Sequence, residues 1–157
     1  MRLEYFQLID RIVDINLDDR SIRTVAAVPT TSTIFEGHFP GHPLMPGVLL
    51  IETMAQTAGW LVVAATGFSR MAFLASVKEA KLRAFVTPGQ SLDIAATLAH
   101  EGSGYTVATC RISVEGKLVS NAELTFRVFD FPNPGVKNAM REWAKGIGFP
   151  MEALADG

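Results

Sequence analysis

Residues 48–66 form one long, largely apolar run whose only charged residue is Glu52. A helix that is apolar nearly all round needs cover on most of its sides. The run also holds Thr53, Gln56, Thr57 and Gly59. A carboxylate and an amide one turn apart near the middle of a bilayer would be costly, which argues against a membrane span. The pattern predicts a helix over about 48–65, ended at Gly67 and buried inside a folded domain.

The cover has to come from the rest of 157 residues, a length that suits one domain with a real core and hardly two. Residues 8–16 and 21–28 read as short strands, with Asp18-Asp19-Arg20 as the turn between them. Beyond the helix, residues 71–86, 91–101, 104–114 and 117–129 read as four more strands. Pro88-Gly89, Gly102-Ser103-Gly104 and Glu115-Gly116-Lys117 punctuate them. Loops this short between the last three allow only an antiparallel meander. The expected architecture is α+β: a curled antiparallel sheet of five to six strands wrapped around one central helix. We assign residues 1–130 to that domain. Residues 131–157 form an extension that opens on Phe131-Pro132-Asn133-Pro134-Gly135 and continues into a short amphipathic segment at about 136–146.

Composition narrows the function classes. Hydrophobic residues make up 48% and charged residues 19%, which is globular and not disordered. A net charge of −2 with no basic stripe argues against nucleic-acid binding. The lone Cys110 cannot form an internal disulfide and reads as buried packing. The opening MRLEYFQLIDRIVDI has charges and no signal-peptide core, so the expected location is cytoplasmic.

Chemistry-bearing residues converge between positions 37 and 56. His38 starts a loop stiffened by Pro40, Pro43 and Pro46 and made compact by Gly37, Gly41 and Gly47. Such a loop is a good mount for a general base, although an incidental surface histidine is the alternative. Glu52, if buried without a charge partner, would favour its neutral form and serve as a general acid. Alternatively it reaches the surface or bonds Gln56, four residues on. No Ser, Thr, Asp or Asn lies at 44–47 to cap the helix. Its first N–H groups are therefore available to a developing oxyanion, or to water. Gln56 either orients Glu52 or is a satisfied core amide.

Together these positions resemble a known signature. His38-Phe39-Pro40-Gly41-x-Pro43-x-Met45-Pro46-Gly47-Val48-Leu49, then Glu52-x-Met54-Ala55-Gln56, is similar to that of (3R)-hydroxyacyl-acyl-carrier-protein dehydratases of the FabZ type. Further matches are Asp10-Arg11, Lys81-Leu82-Arg83-x-x-Val86-x-Pro88-Gly89 and Gly116-x-x-Val119-x-x-Ala122-Glu123-Leu124, so the resemblance covers roughly residues 7–127.

The resemblance implies a hotdog fold and a homodimer in which the histidine of one subunit faces the glutamate of the other. Trimers of dimers are one larger assembly it allows. It also implies dehydration of a chain carried on acyl carrier protein in fatty acid biosynthesis. His38 would take the C2 proton, Glu52 would protonate the departing C3 hydroxyl, and the Gly47 N–H would polarise the thioester carbonyl. No metal or organic cofactor is implied. Val48, Gln56 and Phe73 are assigned to substrate binding beside Gly47. Met54, Trp60, Met71, Leu74 and Phe85 are further candidates for an acyl channel, with ordinary core as the alternative.

Related dehydratase/isomerases carry Asp where Glu52 stands, which favours dehydration without isomerisation. His42, at a variable position of the motif, is a minor rival to His38. Lys78, Lys81 and Arg83 form the densest basic cluster and suit an acidic carrier, with a solvated strand face as the alternative. The tail past Phe131 extends beyond typical members. It suggests a specialised protein, serving long chains or a dedicated pathway, with Phe131, Val136, Met140, Trp143 and Phe149 packing on the dimer or over the acyl tunnel. The competing readings are a hotdog thioesterase or hydratase acting on coenzyme A thioesters, and a non-catalytic acyl-binding subunit.

Overall fold

The computed structural model describes residues 1–152. After a single 3-10 turn at Leu3–Tyr5 come β1 (Arg11–Asn16), β2 (Ser21–Ala27), α1 (Thr33–Gly37) and α2 (Gly47–Ala65). Then follow β3 (Arg70–Leu82), β4 (Ser91–Gly102), β5 (Tyr105–Val114), β6 (Lys117–Asp130) and α3 (Pro134–Gly146). The six strands form one sheet in the order β1-β2-β4-β5-β6-β3, every neighbouring pair antiparallel. This is the α+β hotdog layout expected from the sequence.

Alternation along the strands builds the inner face. Ile22, Thr24 and Ala26 of β2, Leu92, Ile94, Ala96 and Leu98 of β4, and Ala108, Cys110 and Ile112 of β5 are all buried. Ser120, Ala122, Leu124 and Phe126 of β6 complete that face. Against it lies one side of α2: Leu50, Met54, Thr57, Ala58 and Leu61, at helical spacing and at most 2% exposed. Each fully buried large apolar side chain contributes about 1.5–3 kcal/mol. The helix touches five of the six strands, so the sheet curls round it. A buried hydrogen bond between the Thr24 and Thr57 hydroxyls, 2.8 Å, ties sheet to helix. Of the apolar stretch of α2, 67% is buried within the protein, as a core helix requires.

The helix ends as its residues dictate. Gly67 takes a positive φ of 62°, and the Phe68 N–H donates to the Val63 carbonyl at 2.8 Å while the Gly67 N–H donates to Ala64 at 3.1 Å. This reciprocal pair satisfies two of the last free carbonyls.

Three boundaries differ from the sequence reading. The β1 ladder starts at Arg11 and not at residue 8, because the Leu8 N–H is spent on the Gln56 side chain. β3 stops at Leu82: the Arg83 N–H makes a last bond to β6, at the Val119 carbonyl, and residues 84–86 leave the ladder. α1, five residues long, is too short to show a helical period and was not expected. Of the extension, residues 153–157 lie outside the described residues. The remainder contains α3, which is held to β1 by an Ile12 N–H donated to the Ile147 carbonyl at 2.7 Å.

β3 differs from the other strands. It pairs with β6 on one side only, and from Phe73 to Leu82 every residue is exposed. Thirteen residues of unpaired edge carrying Phe73, Leu74, Val77 and Leu82 are a surface that proteins ordinarily cover.

Candidate active site

The site is built from α1 outwards. The Ser32 hydroxyl caps the start of α1 by accepting from the Ile34 N–H at 3.2 Å. The Glu4 carboxylate reinforces that cap, accepting from the Ser32 hydroxyl at 2.6 Å, the Thr33 N–H at 3.0 Å and the Thr33 hydroxyl at 3.2 Å. These bonds, the Ser32 one foremost, pull the Glu4 pKa down to about 2. At the other end of α1 the His38 N–H donates to the Ile34 carbonyl at 3.0 Å.

From there the proline-glycine loop closes on itself. The Leu44 N–H donates to the His38 carbonyl at 2.9 Å, and Phe39 and His42 exchange N–H···O bonds of 3.0 and 2.8 Å. The Met45 N–H donates to the Val86 carbonyl at 2.8 Å and fastens the loop to the segment after β3. The His38 ring is clamped too: its Nδ1 lies 2.9 Å from the Leu44 carbonyl oxygen, and the Phe39 ring stacks on it at 4.1 Å. A carbonyl only accepts, so in the neutral ring Nδ1 carries the proton and Nε2 keeps a lone pair.

Beside His38 is the start of α2. Pro46 at the N-cap offers no side-chain hydrogen bond. The first helical bond is Leu49 N–H to Pro46 carbonyl at 3.0 Å, and the N–H groups of Gly47 and Val48 find no acceptor among the described residues. His38, Gly47, Leu82 and Phe85 border one cleft of about 490 Å³. A Cβ on Gly47 would fall 2.2 Å from Leu82 Cδ1, so any side chain there would push Leu82 aside.

Glu52 sits further along α2, half-buried, in a second cleft of about 260 Å³ that Gln56 and Phe73 also line. The Gln56 amide is fully engaged. Its oxygen accepts from the Leu8 N–H at 3.0 Å; its nitrogen donates to the Phe6 carbonyl at 2.7 Å and to Glu52 Oε1 at 3.2 Å. The Leu8 donor fixes which end of the amide faces Glu52. Gln56 is thus a satisfied amide that also bonds the Glu52 carboxylate.

One protomer thus brings His38 and Gly47 together, and separately Glu52, Gln56 and Phe73; the two clefts share no lining residue. Val48 lines neither. It is 71% exposed and shares a helix face with half-buried Ile51 and Glu52. Trp60, Met71 and Leu74 line the Glu52 cleft, Phe85 lines the His38 cleft, and Met54 is core. His42 is exposed, and His100 pairs with the Tyr105 hydroxyl at 2.9 Å. Lys78, Lys81 and Arg83 are exposed on and just after β3. Among the described residues no cluster of His, Cys, Asp and Glu is arranged to hold a metal. Sequence reasoning missed Glu4 and Leu44, one acting through a carboxylate 28 residues from the cap it supports, the other through its main chain.

Residues 2–123 match the family model of the FabA-like domain. The chain is 35% identical over 127 residues to 3-hydroxyacyl-[acyl-carrier-protein] dehydratase FabZ of Rickettsia felis, covering 80% of this chain and 87% of that protein. It is 40% identical over 123 residues to the FabZ of Thermus thermophilus, covering 77% and 85%. Its fold is similar to that of a hypothetical thioesterase solved with coenzyme A from Streptococcus pneumoniae, with a TM-score of 0.61 over 78% of this chain and 88% of that one, at 17% identity.

Proposed function

The chain belongs to the FabA-like domain family, and from that premise we propose that it is a (3R)-hydroxyacyl-[acyl-carrier-protein] dehydratase of fatty acid biosynthesis, a hydro-lyase forming the trans-2-enoyl thioester. The observation that carries this reading is the clamped His38 ring, whose free Nε2 shares a cleft with the uncapped start of α2.

In this reading Nε2 takes the C2 proton. The thioester oxygen, gaining charge as C2 is deprotonated, accepts from the Gly47 N–H at the positive end of α2. Glu52 of the partner subunit gives its proton to the C3 hydroxyl. The C3–O bond then breaks as the C2=C3 bond forms, and water leaves. Gln56 holds one oxygen of Glu52, which leaves the other for the substrate. Removal of a proton by a positioned base contributes about 10²–10⁴-fold.

A site shared between two subunits is supported by the histidine and the glutamate lining separate clefts of one protomer. The open edge of β3 and the exposed Val48 face of α2 suit a symmetric dimer. The cluster Lys78, Lys81 and Arg83 suits an acidic carrier protein arriving at the His38 cleft, which Arg83 also borders. A cytoplasmic setting fits this reading. Likeness to the thioesterase is a likeness of fold alone and carries no reaction with it.

The test is the hydration of a crotonyl thioester, followed by loss of enoyl absorbance. His38→Ala and Glu52→Gln are each expected to lower kcat by tenfold or more. If neither does, the assignment of base and acid is wrong.

A further inference from the structure

The Glu52 cleft has a floor that the family-matched part of the chain does not supply. From Glu52 it runs along one stripe of α2, Ala55, Gly59, Trp60 and Val63, with Met71 to Leu74 of β3 as the facing wall. Met140 and Trp143 of α3, beyond the last residue matched by the family model, also line it. Past Glu52 and Gln56 the lining is apolar, as an alkyl chain requires.

That floor is firmly built. Asn133 caps α3, its side chain accepting from the Val136 N–H at 3.0 Å, and Pro134 occupies the first turn. Trp143 meets Trp60 edge-on with centroids 5.5 Å apart, and Phe149 packs on both Trp60 and Phe68 at 5.6 and 5.3 Å. Phe131 stacks on Phe68 at 5.8 Å. Gly59 stands at the opposite extreme. It lies inside α2, where glycine is unfavourable, and a Cβ there would meet nothing within 4 Å. Its absent side chain keeps the cleft open just before the two tryptophans.

We infer that α3 measures the acyl chain: Met140 and Trp143 end the pocket that receives carbons beyond C3, and Gly59 keeps its last stretch open. This rests on the dehydratase reading, which puts C3 beside Glu52. From Glu52 to Gly59 the helix advances about 10 Å at 1.5 Å per residue. An extended chain advances about 1.2 Å per bond, from the 3.3–3.6 Å spanned by the three bonds of a residue. Roughly eight bonds fit beyond C3, so the limit falls at about eleven carbons.

The chain has two tryptophans, Trp60 and Trp143, and both line this cleft, which supplies a readout independent of turnover. Saturated acyl-pantetheine thioesters of 4 to 16 carbons are titrated against the intact protein while tryptophan emission is followed. The emission is expected to change only as chains approach ten to twelve carbons, and affinity to fall at least tenfold by sixteen. In parallel, kcat/KM for 3-hydroxyacyl thioesters is profiled by length. Trp143→Ala and Met140→Ala are expected to move the cutoff up by two or more carbons, and Gly59→Leu to move it down. The inference is overturned if the three profiles superpose on the wild type, or if no chain length perturbs the emission while turnover persists. Should Trp143→Ala fail to fold, Gly59→Leu decides, since it leaves α3 intact. Absence of turnover at every length would instead defeat the dehydratase reading, with the emission titration still reporting on the pocket.

Discussion

The imidazole Nδ1 of His38 lies 2.9 Å from the main-chain carbonyl oxygen of Leu44, six residues on. The same Leu44 returns its N–H to the His38 carbonyl, also at 2.9 Å, so one residue grips both the ring and the backbone of the histidine. The expected outcome is that, in the neutral tautomer, the proton sits on Nδ1. Nitrogen NMR on ring-labelled protein tests this; a proton found on Nε2 in the neutral ring would remove the base from the mechanism.

His38 and Glu52 line separate clefts of a single protomer, and that separation has a genetic consequence. If the site is shared as proposed, mixed dimers of His38→Ala with Glu52→Gln contain one intact site and one doubly altered site. With random pairing, half of the dimers are mixed and half of their sites work, so activity should recover to about a quarter of wild type. If subunit exchange is verified by mass and no activity returns, sharing between subunits is excluded.

Gln56 joins the acid to the backbone at Phe6 and Leu8. Gln56→Leu would leave the Leu8 N–H and the Phe6 carbonyl without their partner, at about 1–3 kcal/mol for each such group that stays dry. A lower midpoint in urea denaturation is expected, together with a fall in kcat larger than any rise in KM. Unchanged kcat would show that Glu52 needs no help from this amide.

Acid should loosen the His38 mount before it unfolds the core. The folded-state pKa of Glu4 is depressed to about 2 by its bonds to Ser32 and Thr33. Its contribution is therefore present above the ordinary carboxylate pKa and is lost as pH falls from there towards about 2. Hydrogen-exchange protection of the α1 amides, taken relative to the intrinsic rate at each pH, should fall across that window. In Glu4→Gln, protection at α1 should be lower already at neutral pH and should not fall further over the same window.

Cys110 is 1% exposed, and burial pushes its thiol up to about 12. Thiol reagents at pH 8 should leave it unmodified until the protein unfolds. Because the raised value favours the neutral folded form, stability should fall as pH rises above the ordinary thiol pKa towards about 12. Cys110→Ala should show a weaker alkaline loss in thermal melts.

Local chemistry and period made much of this molecule legible. An apolar run with one carboxylate has to be a core helix, and β-branched runs between Gly-rich turns have to be strands, whatever surrounds them. The residues from Gly37 to Gly47 likewise identified the loop and the helix start. What escaped were features too short for a period or dependent on distant partners. α1 is a single turn and a half, and its cap rests on a carboxylate 28 residues earlier. Leu44 acts through its carbonyl, which every residue possesses and no side-chain pattern reveals.

The sequence by itself determined the α+β class and the central helix, because each follows from residue type and period. Through its family resemblance it nominated His38, Gly47, Glu52 and Gln56 as the candidate set. Only the tertiary structure decided that β3 lies at the open edge beside β6, that His38 and Glu52 open into different clefts, and that α3 lines the second of them. These depend on which surfaces meet across tens of residues. Such meetings are decided by burial and backbone hydrogen bonding in three dimensions, and a linear pattern of residues does not encode them locally.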